Sequence, residues 1–265
     1  MLKRNIPFES FTDLLRGEVN YLSNPADYQG FEDAYIALRG KEGRIYADDV
    51  LEKLPEVTSG HPLFQEWQIR KQSLQKLMRY LEKQHCPLAV LDLGCGNGWM
   101  SANLARIPHS TVYGVDLNDA ELKQGAAVFS HQQNLFFCYG DIFQNIFPKS
   151  TFDVIVLASC IQYFPDFTRI LETLMPLLTE CGELHILDSP FYQSAEIPTA
   201  AKRTAAYYRD AGFPGMAGYY YHHSTEEIAT HGGRYQYDPQ QLSSKLQRKF
   251  FSKYQSPFPW LIFSK

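Results

Sequence analysis

The residues best suited to chemistry lie in a glycine-rich segment that directly follows an apolar run. Its sequence is Leu91-Asp92-Leu93-Gly94-Cys95-Gly96-Asn97-Gly98-Trp99. Because glycine lacks a Cβ atom, the backbone here can turn tightly and approach a ligand closely. Two nucleotide-binding patterns are excluded: a dinucleotide fingerprint needs a third glycine where Trp99 stands, and a P-loop needs Gly-Lys-Ser/Thr. Asp92, an acid beside the turn, opposes a diphosphate and favours a cation.

Two further acidic residues follow the next two apolar runs, in Val115-Asp116-Leu117 and Gly140-Asp141-Ile142. An acid after the second strand of a nucleotide-binding sheet can accept both hydroxyls of a ribose. A carboxylate after the third strand can accept a hydrogen bond from the exocyclic amine of adenine. A single aspartate after a strand is more often a turn former or a helix cap. Three acids at successive strand ends instead outline a ribose, an adenine and a cationic tail without phosphates.

The elements that position these residues begin at about residue 88, where short apolar runs alternate with helical patterns. This alternation is typical of βαβ units and a parallel sheet. Strands are predicted at 88–93, 111–115, 135–139, 152–158 and 183–188, and helices at 67–84, after 98, at 120–129, 166–178 and 238–248. Strands at 250–254 and 260–263 are predicted to form an antiparallel hairpin, because their link is too short for a parallel crossover. Residues 1–66, with short interrupted patterns, are predicted to form a helical cap on the sheet.

The composition is that of an ordinary globular chain: of 265 residues, 45% are hydrophobic and 20% are charged, with a formal net charge of −4. A nucleic-acid-binding protein usually has a basic excess, so no nucleic-acid partner is expected. No stretch approaches the roughly 20 apolar residues that span a bilayer, so no membrane partner is expected either. The five cysteines are scattered singly. This favours free thiols in a reducing, cytoplasmic compartment.

Taken together, the motifs resemble those of class I S-adenosylmethionine-dependent methyltransferases. The resemblance runs from the glycine segment through both aspartate motifs, then Phe152-Asp153-Val154-Ile155 and Gly182-Glu-Leu-His-Ile-Leu-Asp188. It covers about residues 67–188 and the terminal hairpin, in matching order and spacing. It implies a Rossmann-like α/β fold: an open twisted sheet, mostly parallel with an antiparallel C-terminal hairpin, and helices on both faces. It also implies S-adenosyl-L-methionine as the cofactor.

The resemblance further implies which residues contact the methionine part of that cofactor. It places Gly94, Cys95 and Gly96 against this part, with Asp92 near the amino group, directly or through water. Ser159, just past the fourth strand, would border the amino group and the path to the substrate.

For the adenosine part, the resemblance implies that Asp116 binds the ribose hydroxyls while Leu117 packs on the adenine. Asp141 and the backbone of Ile142 would contact the adenine edge.

Arg70 is a candidate that lies outside the family motifs. It falls on the same helix face as the apolar residues Trp67, Leu74 and Leu77. A planar guanidinium there is suited to pairing with the cofactor's carboxylate. The alternative is that its side chain extends past the core to water.

Candidates for the acceptor site lie in two places. Tyr163 follows the fourth strand, in a loop without the Pro-Pro-aromatic motif typical of methyltransferases that act on base amines. The segment 189–237 is rich in tyrosine, which can enclose a ring-bearing molecule. There His222 or His223 could act as a base, although packing histidines are more common. No catalytic residue is obligatory, since methyl transfer depends chiefly on positioning.

A metal site is the sharper alternative in the same segment. His223, Glu227 and His231 recur at the spacing of one helical face. However, Ser224-Thr-Glu-Glu227 is a capping box, which accounts for Glu227 and leaves His223 outside the helix. We therefore expect no metal.

The sequence is best interpreted as a cytoplasmic class I methyltransferase domain at 67–265, with a cap at 1–66 and a substrate-covering insertion at 189–237. The expected partner is a small methyl acceptor, apolar or ring-containing, that reacts through oxygen, nitrogen or carbon. Two alternatives stay open. One is an RNA or protein methyltransferase, against which the charge weighs, and the other is a cofactor-binding regulatory protein without transfer activity. The sequence leaves the oligomeric state undetermined.

Overall fold

A single eight-stranded sheet organises the chain in the computed structural model, which describes residues 14–84, 87–245 and 254–265. The strands are β1 (Val19–Tyr21), β2 (Leu88–Leu93), β3 (Ser110–Asp116), β4 (Leu135–Tyr139), β5 (Phe152–Ala158), β6 (Leu178–Leu187), β7 (Arg234–Tyr237) and β8 (Trp260–Ser264). Their order is β1-β4-β3-β2-β5-β6-β8-β7. The strands from β1 to β6 pair in parallel, whereas β8 pairs antiparallel with both β6 and β7. The predicted fold, a mostly parallel sheet with antiparallel C-terminal pairing, is confirmed.

Helices connect the strands and pack beside the sheet. They are α1 (Gln29–Lys41), α2 (Asp48–Leu51), α3 (Phe64–Leu81), α4 (Trp99–Leu104), α5 (Asp119–Val128), α6 (Phe167–Leu174), α7 (Ile197–Asp210) and α8 (Thr225–Thr230). None of the helices within the described ranges combines the length and apolar character that a bilayer crossing requires.

The core lies on both faces of the sheet because successive strand residues point to opposite sides. Val90 belongs to one buried cluster, with Trp67 of α3 and Trp99 of α4. Leu91 belongs to the second cluster, with Phe167 of α6. Both faces are therefore covered, as a parallel sheet requires.

The edges of the sheet differ from the predicted arrangement in two ways. The N-terminal segment contributes β1, whose Val19 pairs with Phe137 of β4, in addition to the helix α1. The strand β8 pairs antiparallel with β7, so the last four residues of the segment expected to be an insertion belong to the sheet. In the predicted strand 250–254, residues 250–253 lie outside the described residues, as does the predicted helix beyond residue 245.

Candidate functional site

The glycine segment turns sharply between β2 and α4. Gly94, Gly96 and Gly98 have φ angles of +74°, +55° and +76°, in the left-handed region that favours glycine. A Cβ atom on Gly94 would lie 2.6 Å from the Cβ of Cys160. The loop therefore needs glycine at Gly94 both for its backbone conformation and for its close contact with the segment after β5.

Asp116, at the end of β3, faces this loop. Its Oδ2 accepts a hydrogen bond from the Gly96 amide at 2.8 Å, and its Oδ1 accepts one from the Asn118 amide at 2.9 Å. Each carboxylate oxygen can accept a further hydrogen bond, which two vicinal hydroxyls can supply.

Asp141 follows β4 at the same edge of the sheet. Its Oδ1 accepts from the Phe143 amide at 2.9 Å and its Oδ2 from the Tyr28 hydroxyl at 2.6 Å. Tyr28 immediately precedes α1, so the N-terminal segment reaches directly to this acid.

Two adjoining cavities open along this edge of the sheet. The first, the loop cavity of about 100 Å³, is lined by Gly94, Gly96 and Asp92 among others. The second, the edge cavity of about 260 Å³, is lined by Asp116, Asp141 and aromatic residues of α1. All ten residues predicted to contact the cofactor line one or both cavities: Arg70, Asp92, Gly94, Cys95, Gly96, Asp116, Leu117, Asp141, Ile142 and Ser159. The structure thus brings together residues from the ends of four strands, β2 to β5, with Arg70 of α3.

Buried carboxyl groups surround the loop cavity. Asp92 is 2% exposed, and its Oδ2 accepts a hydrogen bond from the Ser101 hydroxyl at 2.6 Å. Burial raises the pKa of Asp92 to about 6 despite this bond. Glu121 of α5 also lines the cavity, and burial together with the charge of Asp116 raises its pKa to about 7. A cation in this cavity would meet two carboxyl groups, with Asp116 in the adjoining edge cavity.

A third, larger cavity of about 700 Å³, the outer cavity, adjoins the loop cavity, with which it shares Arg39, Arg70 and Ser159 among others. Tyr207 and Tyr208 of α7 line it, facing Arg70 of α3 and Arg39 of α1. Ser159 lines the loop, edge and outer cavities alike, so the three meet at this residue. The carboxyl end of β5 is therefore the point at which a molecule in the outer cavity would meet one held by the glycine loop.

Ion pairs connect α1, α3 and the loop between them at the wall of the outer cavity. Glu66 accepts two hydrogen bonds from Arg44, at 2.6 and 2.7 Å, and lies 3.0 Å from Arg70 Nε. Burial opposes ionisation of Glu66, but both arginines outweigh it and lower its pKa to about 2. Glu42 pairs in turn with Arg39 at 3.0 Å and Arg44 at 3.1 Å. Tyr207 donates a hydrogen bond to Glu42, which joins α7 to this network.

The three predicted catalytic candidates have different surroundings. Tyr163 lines both the edge and the outer cavity, and burial raises the pKa of its hydroxyl, which therefore stays protonated at neutral pH. His223 is 3% exposed with its Nε2 3.1 Å from the Ile161 carbonyl oxygen, and His222 Nε2 lies 2.9 Å from the Thr204 hydroxyl. Neither histidine is among the described residues that line the outer cavity.

The predicted capping box at the start of α8 is confirmed. Glu227 accepts a hydrogen bond from the Ser224 amide at 2.6 Å and itself donates its amide to the Ser224 hydroxyl at 3.1 Å. Its carboxylate is thus engaged by the helix start. His231 Nε2 contacts the Thr168 hydroxyl at 2.9 Å instead.

The site also contains residues of α1 that the sequence interpretation missed. Phe31 and Tyr35 line the edge cavity, and Tyr35 and Arg39 line the loop cavity. Their spacing of about one helical turn was an available signal. Gly30 obscured this spacing, because a glycine lowers the apparent helix propensity of the segment that contains it.

Comparisons with known proteins match the central part of the chain to methyltransferases. Residues 90–182 match a family described as "Methyltransferase domain". Trans-aconitate 2-methyltransferase of Deinococcus radiodurans is 38% identical over 98 residues, which make up 37% of this chain and 36% of the relative. The mouse EEF1A lysine methyltransferase 2 is 24% identical over 213 residues, 66% of this chain and 87% of that protein. The chain thus spans little more than a third of the first relative and most of the second.

Among solved structures, magnesium protoporphyrin IX methyltransferase from Synechocystis, with bound SAH, is similar in fold. It aligns with a TM-score of 0.50 and 17% identity, over 90% of this chain and 95% of that one.

Proposed function

Since the chain belongs to the class I S-adenosylmethionine-dependent methyltransferases, we propose that it transfers a methyl group to a small, ring-containing molecule in the outer cavity. The observation that carries the proposal is the position of Ser159, which lines the two cavities at the glycine loop and the outer cavity. A donor on one side and an acceptor on the other can meet there. The name of the bacterial relative specifies a small acceptor, trans-aconitate, which supports this class of substrate.

The residues around the loop and edge cavities fit the cofactor. We propose that Asp116 binds the ribose hydroxyls with its free lone pairs, beside Leu117, and that Asp141 and Ile142 bind the adenine edge. These four residues all line the edge cavity. Tyr28, which already donates a hydrogen bond to Asp141, would cover the adenine end of the cofactor.

We propose that the tight turn of Gly94, Cys95 and Gly96 binds the methionine part of the cofactor, with Asp92 near its amino group. Arg70 would pair with the carboxylate. Its Nε contacts Glu66 at 3.0 Å, while its terminal amino groups have no ion-pair partner among the described residues. A planar guanidinium can bind carboxylates on both edges, so the two contacts are compatible.

The bound cofactor supplies a methyl group that is already activated on a sulfonium. The protein's own residues must align the acceptor and exclude water, and such positioning can contribute about 7–11 kcal/mol. Tyr163, Tyr208 and Tyr220 line the outer cavity and suit an acceptor with a ring. A volume of about 700 Å³ is within the usual size of small-molecule sites.

We also place the protein in the cytoplasm. Cys95, Cys138, Cys160 and Cys181 are free thiols, which supports a reducing compartment.

The test is titration calorimetry with S-adenosylmethionine and S-adenosylhomocysteine, followed by an assay of S-adenosylhomocysteine release over a metabolite panel. We expect both compounds to bind, and Asp116→Ala and Arg70→Ala each to weaken binding more than tenfold. Absence of binding by the intact chain would overturn the proposal. Binding without turnover would favour the cofactor-binding regulatory protein.

A protein acceptor is the second candidate, because the mouse relative that aligns over 87% of its length is a lysine methyltransferase by name. Transfer of labelled methyl groups from cofactor to macromolecules in a cell extract, retained on a size filter, would favour this candidate over a small acceptor.

A further inference from the structure

Three carboxylates of the described residues line the outer cavity, and two of them are held in ion pairs. Glu42 contacts Arg39 and Arg44, and Glu66 contacts Arg44 and Arg70. Asp188 is the third, and it forms no ion pair within the part of the chain that the structure describes. The arginines that pair with Glu42 and Glu66 therefore leave Asp188 without an ion pair within the described ranges.

Asp188 is held in place through one of its two carboxylate oxygens. It follows β6 with a φ of +50°, and its Oδ1 accepts hydrogen bonds from Ser73 of α3 at 2.7 Å and Ser256 at 2.8 Å. Its Oδ2 has no hydrogen-bond partner among the described residues. One oxygen thus fixes the side chain of a residue that lines the outer cavity, and the other is left without a hydrogen bond among the described residues.

The position of Asp188 connects it to the meeting point of the three cavities. The Ser159 hydroxyl donates a hydrogen bond to the Asp188 backbone carbonyl at 3.1 Å. Ser159 in turn lines all three cavities. Asp188 is therefore hydrogen-bonded to Ser159, the residue at which the donor and the acceptor would meet.

The charge around Asp188 suits a proton acceptor. Burial raises the pKa of its carboxyl group, while the Ser73 and Ser256 hydrogen bonds and the charges of Arg70 and Lys76 on α3 oppose that rise. Ser256, from the segment before β8, contributes no charge. Tyr163 cannot accept a proton while its own hydroxyl stays protonated, because burial raises its pKa. Among the described titratable residues of the outer cavity, Asp188 is the best placed base.

We propose that Asp188 is the general base of the methyl transfer, and that the acceptor atom is an oxygen or nitrogen that carries a proton. On an oxygen acceptor, Asp188 Oδ2 would take the proton as an oxygen electron pair forms the bond to the methyl carbon. On a nitrogen acceptor, the nitrogen lone pair would form that bond and Asp188 Oδ2 would take the proton from the resulting ammonium group. The electron pair of the breaking carbon–sulfur bond stays on sulfur, which becomes a neutral thioether. This inference rests on the proposed function.

The experiment compares the intact chain with Asp188→Asn on single-ring probes: phenol, 4-nitrophenol, aniline and benzoate. The asparagine oxygen can still accept both serine hydrogen bonds, so the variant keeps the fixed side chain and loses the base. For phenol we expect kcat to fall about 100-fold or more with KM unchanged, the usual range for a lost general base. For aniline, whose nitrogen lone pair attacks before the proton leaves, we expect a smaller loss. For 4-nitrophenol, which ionises near neutral pH, we expect a much smaller loss.

The pH profile and two further variants distinguish a catalytic role of Asp188 from a structural one. Wild-type kcat should rise as the pH rises through the pKa of Asp188, and this limb should vanish in Asp188→Asn and return in Asp188→Glu. Asp210→Asn, at an exposed acid of α7, is the matched control and should behave as wild type. Wild-type activity confined to benzoate, or an Asp188→Asn variant as active as wild type, would overturn the inference. Failure of the wild-type chain to bind S-adenosylhomocysteine would instead overturn the proposed function.

Discussion

Among the described side chains of the loop cavity, Glu121 of α5 is an acid with a buried oxygen that no hydrogen bond stabilises. Its Oε2 is buried and has no hydrogen-bond partner among the described residues. A Cβ atom on Gly96 would lie 3.3 Å from this oxygen, so Glu121 touches the glycine loop itself. Burial first, and then Asp116, raise its pKa to about 7, and Arg39 opposes the rise. Near neutral pH the side chain is therefore divided between its neutral and charged forms.

This division should make the discrimination between the two cofactor forms depend on pH. Below its pKa Glu121 is protonated, and above it the carboxylate attracts the positive sulfonium of S-adenosylmethionine but not the neutral sulfur of S-adenosylhomocysteine. We expect the ratio of the two affinities to shift toward S-adenosylmethionine between pH 6 and pH 8. Calorimetry at both pH values measures it, and the ratio isolates the sulfonium because the two ligands share every other ionisable group.

Glu121→Gln is the control for this effect, since it keeps the shape and removes the titration. The affinity ratio of this variant should change much less over the same pH interval. A ratio that shifts equally in wild type and variant would assign the effect to Asp92, whose pKa burial raises to about 6.

At the level of elements, the positions of the central strands and the glycine loop were readable because local patterns specify them. The apolar runs of β2, β4 and β5 match the predicted bounds, since strands buried on both faces consist of continuous apolar residues. The strand β7 was missed because Arg234, Tyr235 and Gln236 are exposed at the sheet edge and show no apolar alternation. The part that α1 plays in the site was missed as well, because the contacts of α1 join residues far apart in the chain.

Helix α5 illustrates how a contact between elements overrides a local preference. Gly125 stands inside this helix, where alanine would normally stabilise by about 1 kcal/mol. Here a Cβ atom would lie 2.6 Å from the Asn97 carbonyl oxygen, in the backbone of the glycine loop. We expect Gly125→Ala to lower the free energy of unfolding, and to weaken S-adenosylhomocysteine binding because it displaces that loop.

Gly30 of α1 offers the matched comparison. A Cβ atom there would meet nothing within 4 Å, so Gly30→Ala should leave stability unchanged or raise it by up to about 1 kcal/mol. Urea denaturation of both variants measures the difference. A Gly125→Ala variant as stable as wild type would show that α5 can move away from the loop without cost.

For the whole molecule, α1 acts as the roof between the edge cavity and the exterior. Phe31 and Tyr35 face this cavity, while Lys41 at the far end donates a hydrogen bond to the Ala211 carbonyl at 2.9 Å. The helix is thus attached to the segment after α7 and, through Tyr28, to Asp141. A ligand in the edge cavity would contact the roof and the sheet at once.

Hydrogen exchange tests this arrangement. We expect S-adenosylhomocysteine to slow amide exchange of α1, because the bound ligand adds contacts to a helix that few backbone bonds tie to the sheet. Exchange in β7, at the opposite edge, should stay unchanged. Equal slowing in both elements would indicate a global rise in stability rather than closure of the roof.

The attachment of β1 has a consequence for synthesis on the ribosome. Asn20 donates a hydrogen bond to the Phe137 carbonyl at 3.0 Å, across a separation of 117 residues. The strand β1 must therefore wait for β4, which is synthesised later, before the two can pair. During that interval the glycine loop and Asp116 can already be in place while α1 has no fixed attachment. A nascent chain would thus present its donor site openly before the roof closes over it.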